Sequence, residues 1–102
     1  MRQRPIDYIA SGDWPNAMLE PSLAAAYAQE LARNLRRVTE GMTLRQVAQL
    51  VGLDPMTIRA LINGYRWADT VSVAKLELGL DQLLWPGDDA RRALLRAQTR
   101  PR

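Results

Sequence analysis

The chain has 102 residues, 47% of them hydrophobic and 25% charged, which suits one globular domain with a modest core. It holds no cysteine and no histidine, so disulfides, thiolate chemistry, zinc clusters and imidazole acid–base catalysis are excluded. The formal net charge is +3, and Lys75 is the single lysine among 14 basic residues; the remainder are arginine.

Arginine suits bidentate contact with phosphate and guanine, although a GC-rich coding sequence would produce the same bias. No apolar run approaches the roughly 20 residues of a membrane span. The Met1–Tyr8 stretch lacks the apolar centre of a signal peptide. The expectation is a cytoplasmic protein with no membrane contact.

Residues 1–20 read as an N-terminal extension. Ile6, Tyr8 and Ile9 are compatible with one turn of helix, and Gly12-Asp13-Trp14-Pro15-Asn16 is a turn by composition. Trp14 and Met18 are costly to leave in water and are expected to cover the core or a second subunit. Arg2 and Arg4 fit either an arm that reaches a minor groove or a frayed terminus, with fraying the stronger expectation.

Residues 21–87 are expected to form the main domain. A first helix should start at Pro21 or Ser22 and run to about Thr39, with Gly41 beyond it. Leu23, Tyr27, Leu31, Leu35 and Val38 form its apolar stripe, and Gln29, Arg33, Arg36 and Arg37 its solvated face. Thr43 is an N-cap, with Gln46 completing a capping box. Val47, Ala48 and Val51 then make one buried stripe, with Ala48 the small residue that lets two helices cross. Gly52 ends this second helix. Asp54 caps the third and Pro55 occupies its first position, where a missing N–H costs nothing. Ile58, Leu61 and Ile62 face inward, and Asn63-Gly64 stops the helix.

In this register Leu44, Ala48, Gly52, Ile58 and Leu61 carry the spacing of a DNA-binding helix-turn-helix. The segment resembles the phage-repressor (Cro-like, XRE) family, and the likeness extends over about residues 24–86. It implies an all-α, λ-repressor-like domain of five to six helices with short N- and C-terminal extensions, and double-stranded DNA as partner. The residues 54–63 would be the recognition helix.

The resemblance also assigns roles. Pro55, Met56, Thr57, Arg59 and Ala60 fall on or beside the groove-facing side. Arg59 is the candidate for guanine, Met56 and Ala60 for thymine methyl groups, and Thr57 for a base or a phosphate; Asp54 serves as the cap. Asn63 closes the same helix and is included in the DNA-binding set. In the loop that follows, Arg66 is the natural phosphate ligand, with Tyr65 and Trp67 as further donors; for Trp67, packing at the core edge is an equal alternative. Leu44 stands where many relatives carry glutamine, so phosphate contact at the second helix falls to its N-terminal amides, Thr43 and Arg45. Few polar base readers remain, which predicts one or two arginine contacts supplemented by shape readout.

A fourth helix is expected from Asp69 or Thr70 to Leu80, with Val73, Leu76 and Leu80 inward and Gly79 weakening its end. Asp81 replaces the glycine usual after this helix in the family. Leu83, Leu84 and Trp85 suggest a short fifth element that Pro86-Gly87 terminates. Residues 88–102 read as a C-terminal helix and tail: Asp88 caps a helix from Asp89 to about Gln98, whose thin face of Ala90, Ala93, Leu94 and Ala97 should dock on the domain or a partner.

The expected function is a sequence-specific transcriptional regulator, most simply a homodimeric repressor on an inverted repeat. Residues 6–19 and 83–98 are the candidate pairing surfaces, the latter favoured. The alternative is a protein-interaction or antitoxin-like module that binds a protein partner through the terminal extensions. No enzyme and no cofactor or metal is expected, since no carboxylate pair has a catalytic spacing.

Overall fold

The computed structural model describes residues 3–99. Five α-helices lie among them: α1 (Leu23–Val38), α2 (Leu44–Val51), α3 (Pro55–Ile62), α4 (Thr70–Leu80) and α5 (Asp88–Thr99). Local chemistry sets their ends. The Ser22 hydroxyl accepts from the Ala25 amide (3.1 Å) to start α1. Thr43 and Gln46 close the reciprocal box at α2, with Gln46 N to Thr43 Oγ1 at 3.1 Å and Thr43 N to Gln46 Oε1 at 2.9 Å. Asp54 caps α3 through the Met56 amide (3.1 Å), and Asp69 caps α4 through the Ser72 amide (2.7 Å). Asp81 ends α4 as a glycine would, adopting φ 54° and ψ 46° in the left-handed region.

Leu31, Leu35, Val47, Val51, Ile58, Leu61 and Leu76 are buried together, as their periodicity requires, and α2 packs on both α3 and α4 while α1 backs α3. Three expected core residues sit further out: Ala48, Val73 and Leu80 are only partly buried, at the edge of the cluster. A close helix crossing lies at Gly79. A Cβ on Gly79 of α4 would lie 2.6 Å from the Leu50 carbonyl oxygen and 2.7 Å from the Val51 Cα, so glycine there brings α4 onto the end of α2.

The short fifth element expected at Leu83-Leu84-Trp85 is an irregular loop. Side chains hold it in place of a helical ladder: Glu77 Oε2 accepts from the Leu84 and Trp85 amides (2.8 and 3.0 Å), and Asn34 donates to the Leu84 carbonyl (2.9 Å). Leu84 thereby becomes a fully buried core residue. The last helix starts at Asp88 itself, one residue earlier than expected; the Gly87 carbonyl accepts from the Arg91 amide (2.9 Å), and Asp88 pairs with Arg91 (2.6 Å). It docks on α1.

Residues 3–20 fold onto the same helices. Pro5–Tyr8 is a 3-10 turn against α1, and β1 (Ile9–Ser11) pairs antiparallel with β2 (Met18–Leu19) across the expected Gly12–Asn16 turn, which contains a cis Trp14–Pro15 peptide. Two residues expected on the solvated face of α1 anchor this hairpin. Gln29 is buried and donates to the Ala17 carbonyl (2.8 Å), and Arg33 donates to the Pro15 carbonyl (3.1 Å). Trp14 covers the domain as expected, whereas Met18 stays 70% exposed.

Candidate nucleic-acid interface

The two-helix unit is set by backbone geometry before any side chain touches a ligand. Gly52, at φ 75°, turns the chain out of α2 in the left-handed conformation that favours glycine. Pro55 starts α3 with a preset φ and no amide to lose. With Ile58 and Leu61 buried beneath it, α3 presents Pro55, Met56 and Arg59 to solvent, with Thr57 and Ala60 half-buried beside them. Met56 is 64% exposed.

The loop after α3 shares that surface. Arg66 reaches back to the Thr57 hydroxyl in a long contact of 3.4 Å and lies 3.8 Å from Asp69. Ala60, Tyr65, Arg66 and Trp67 wall one open cleft with Gln3 and Arg4. Asn63 is half-buried at the end of α3, its amide bonded to the Arg59 carbonyl. Thr43 and Arg45 are exposed at the start of α2. Trp67 does not offer its indole N–H: that group donates to the Gln3 carbonyl at 2.6 Å, and the ring meets Tyr8 edge-on with centroids 6.1 Å apart.

The N-terminal segment braces the end of α3. Trp14 Nε1 donates to the Ile62 carbonyl (2.9 Å), one of the helix-end acceptors that no helical amide can reach. The Ile6 amide donates to the Gly64 carbonyl (2.9 Å). Gly64 has φ 76°, and a Cβ there would strike the Trp14 ring at 2.7 Å, so both the turn and the ring demand glycine.

Arg4 is not frayed. Its guanidinium binds Asp7 through Nε (3.4 Å) and Nη2 (3.1 Å) and lies over the Tyr65 ring, 5.5 Å from the centroid. Hydrogen bonding to the Asp7 side chain, then its charge, raises the Arg4 pKa, and the same bonds hold the Asp7 carboxyl below the usual carboxylate range. Asp69 is also held low, chiefly by the Ser72 amide it caps. Arg2 lies outside the described residues. Gln3, Arg4, Tyr8 and Trp14 were not legible as neighbours of α3 and the loop after it; their clustered aromatics gave a need for cover but not its place.

This arrangement defines a helix-turn-helix domain. Residues 33–82 match the model of a helix-turn-helix family, and the match supports a Cro-like, XRE-type DNA-binding protein of a transcription-regulator family. No significant match to a curated protein or to a solved structure accompanies it. Among the described residues no helix is long and apolar enough to cross a membrane.

Proposed function

We propose that the protein is a cytoplasmic, sequence-specific transcriptional repressor that binds an inverted repeat as a homodimer. In this reading residues 21–87 form the DNA-binding domain, between an N-terminal extension (1–20) and a C-terminal helix and tail (88–102). The observation that carries it is the exposed outer side of α3, where Met56 and Arg59 stand clear of a fully buried Ile58. Arg59 offers guanine O6 and N7 a matched pair of donors, and Met56 and Ala60 offer apolar contact to thymine methyls. Pro55, Thr57 and Asn63 line the same helix. Arg66, Tyr65, Thr43 and Arg45 supply the sequence-independent grip on phosphate, Thr43 and Arg45 from the first turn of α2.

Pairing is best supported at the C-terminal side of the domain. The apolar residues of 6–19 are largely occupied at home, Tyr8 against Trp67 and Trp14 against the end of α3. Leu78 and Leu83, by contrast, are 86% and 87% exposed at the end of α4 and in the loop beyond it. Trp85 stacks edge-on with Tyr27 (5.6 Å) yet keeps an open flank. Sedimentation of the full chain with and without a bound duplex tests the assembly. Two chains per site are expected, with Leu78→Glu and Leu83→Glu together giving monomers; a wild-type monomer on DNA would overturn the inverted-repeat reading.

A further inference from the structure

We propose that Arg4 and Arg66 together grip a single phosphodiester of the DNA backbone, in the cleft beside the end of the recognition helix, making the N-terminal extension part of the DNA interface. The inference rests on the DNA-binding reading above. The cleft is lined by Gln3, Arg4, Ala60, Tyr65, Arg66 and Trp67, which brings two guanidinium-bearing residues and one residue of α3 to the same cleft. Ala60 is small, and leaves room for a phosphate where a longer side chain would fill the space.

Both cations keep donors for a ligand. Arg4 uses Nε and Nη2 on Asp7, which leaves Nη1 outside that fork. Arg66 makes only the 3.4 Å contact to Thr57 and the 3.8 Å approach to Asp69. Asp7 and Asp69 partly compensate the two charges, and the looser Asp69 pair is the one a phosphate displaces first, because charge-assisted bonds to phosphate are shorter and bidentate.

The cation from the N-terminus is also placed in advance. Gln3 O is bonded to the Trp67 indole (2.6 Å), the Ile6 amide to Gly64 O (2.9 Å), and the Arg4 guanidinium is stacked on Tyr65. Residues 3–6 are therefore tied at several points to the loop that carries Arg66. Little ordering remains for DNA to impose when it enters the cleft.

The test measures binding of the full chain to a mixed-sequence DNA duplex over a range of salt. Arg4→Gln should weaken binding, and Arg66→Gln should do likewise, each with less than about one lost from the slope of log K against log salt because the other arginine still holds the phosphate. The double variant should lose no more than about one from the slope, because one phosphate is released; two separate phosphates would cost about two. Arg4→Lys should recover most of the affinity, since lysine binds phosphate as a point charge even without the Asp7 fork.

Unchanged affinity in Arg4→Gln, a slope loss of about two in the double variant, or an Arg4→Lys chain that binds as weakly as Arg4→Gln would each overturn the shared cleft. Wild-type protein that binds no duplex would instead remove the DNA reading itself, and the occupant of the cleft with it.

Discussion

Gly79 of α4 lies so close to α2 that a Cβ on it would come within 2.7 Å of the Val51 Cα and 2.6 Å of the Leu50 carbonyl oxygen. Neither atom can rotate away, because both are backbone. In an open helix Gly→Ala gains about 0.5–1 kcal/mol. Here Gly79→Ala must part the two helices, and overpacking of that kind costs about 1–3 kcal/mol. Chemical denaturation should show a lower midpoint with an unchanged m-value; a stabilised Gly79→Ala protein would mean that α4 does not cross α2 at this residue.

Trp14 carries a second link between distant parts of the chain, from the hairpin turn to the Ile62 carbonyl. Trp14→Phe keeps an aromatic ring over Gly64 and removes the indole donor. The expected loss is about 1 kcal/mol, the net worth of one hydrogen bond. A thermal melt compared with wild type checks it, and no change would show that the Ile62 carbonyl finds water instead.

Much of the fold was legible because it is written in local chemistry. Thr43 with Gln46, Gly52, Asp54-Pro55 and Asp69 each satisfy the backbone at a helix end through atoms a few residues away, so spacing alone locates them. Gly79 was misread as a mere weakness because its reason is a neighbour far along the chain. The loop at residues 83–85 was misread likewise: its leucines suggest a helix, but its amides are taken by the Glu77 carboxylate. The β1–β2 hairpin is too short for alternation to register. At the candidate interface, the outward residues of α3 follow from helical period, whereas the bracing by Gln3, Arg4 and Trp14 depends wholly on tertiary contact.

Acid should weaken the fold partly through two carboxylates, Asp7 and Asp69. Both are held below the ordinary carboxylate range, Asp7 by its Arg4 fork and Asp69 chiefly by the Ser72 amide. A depressed folded-state pKa means stability that is present above the unfolded value and is lost as pH falls through the folded one. Asp69→Asn keeps a good cap and cannot titrate. Unfolding curves from neutral to strongly acid pH should therefore show a shallower acid loss in Asp69→Asn; an identical pH profile would remove Asp69 from the acid response.

Arg59 is the base reader in this account. It follows the buried Ile58, so its side chain leaves α3 about 100° away from the core direction. Arg59→Ala should cost about 1–3 kcal/mol on the true operator and relax preference at one base pair per half-site. Binding to operators altered singly at each position reads this out. An equal loss on every altered operator would make Arg59 a phosphate ligand.

The most direct measurement is selection of bound sites from a random duplex library with the full chain, at a salt concentration that suppresses non-specific binding. The account predicts an enriched inverted repeat whose half-sites are centred about 10 base pairs, or a multiple of that, apart, with a guanine preferred at one position of each half. A library that emerges unenriched, from protein that is folded and retained on DNA at low salt, would contradict sequence-specific reading by α3.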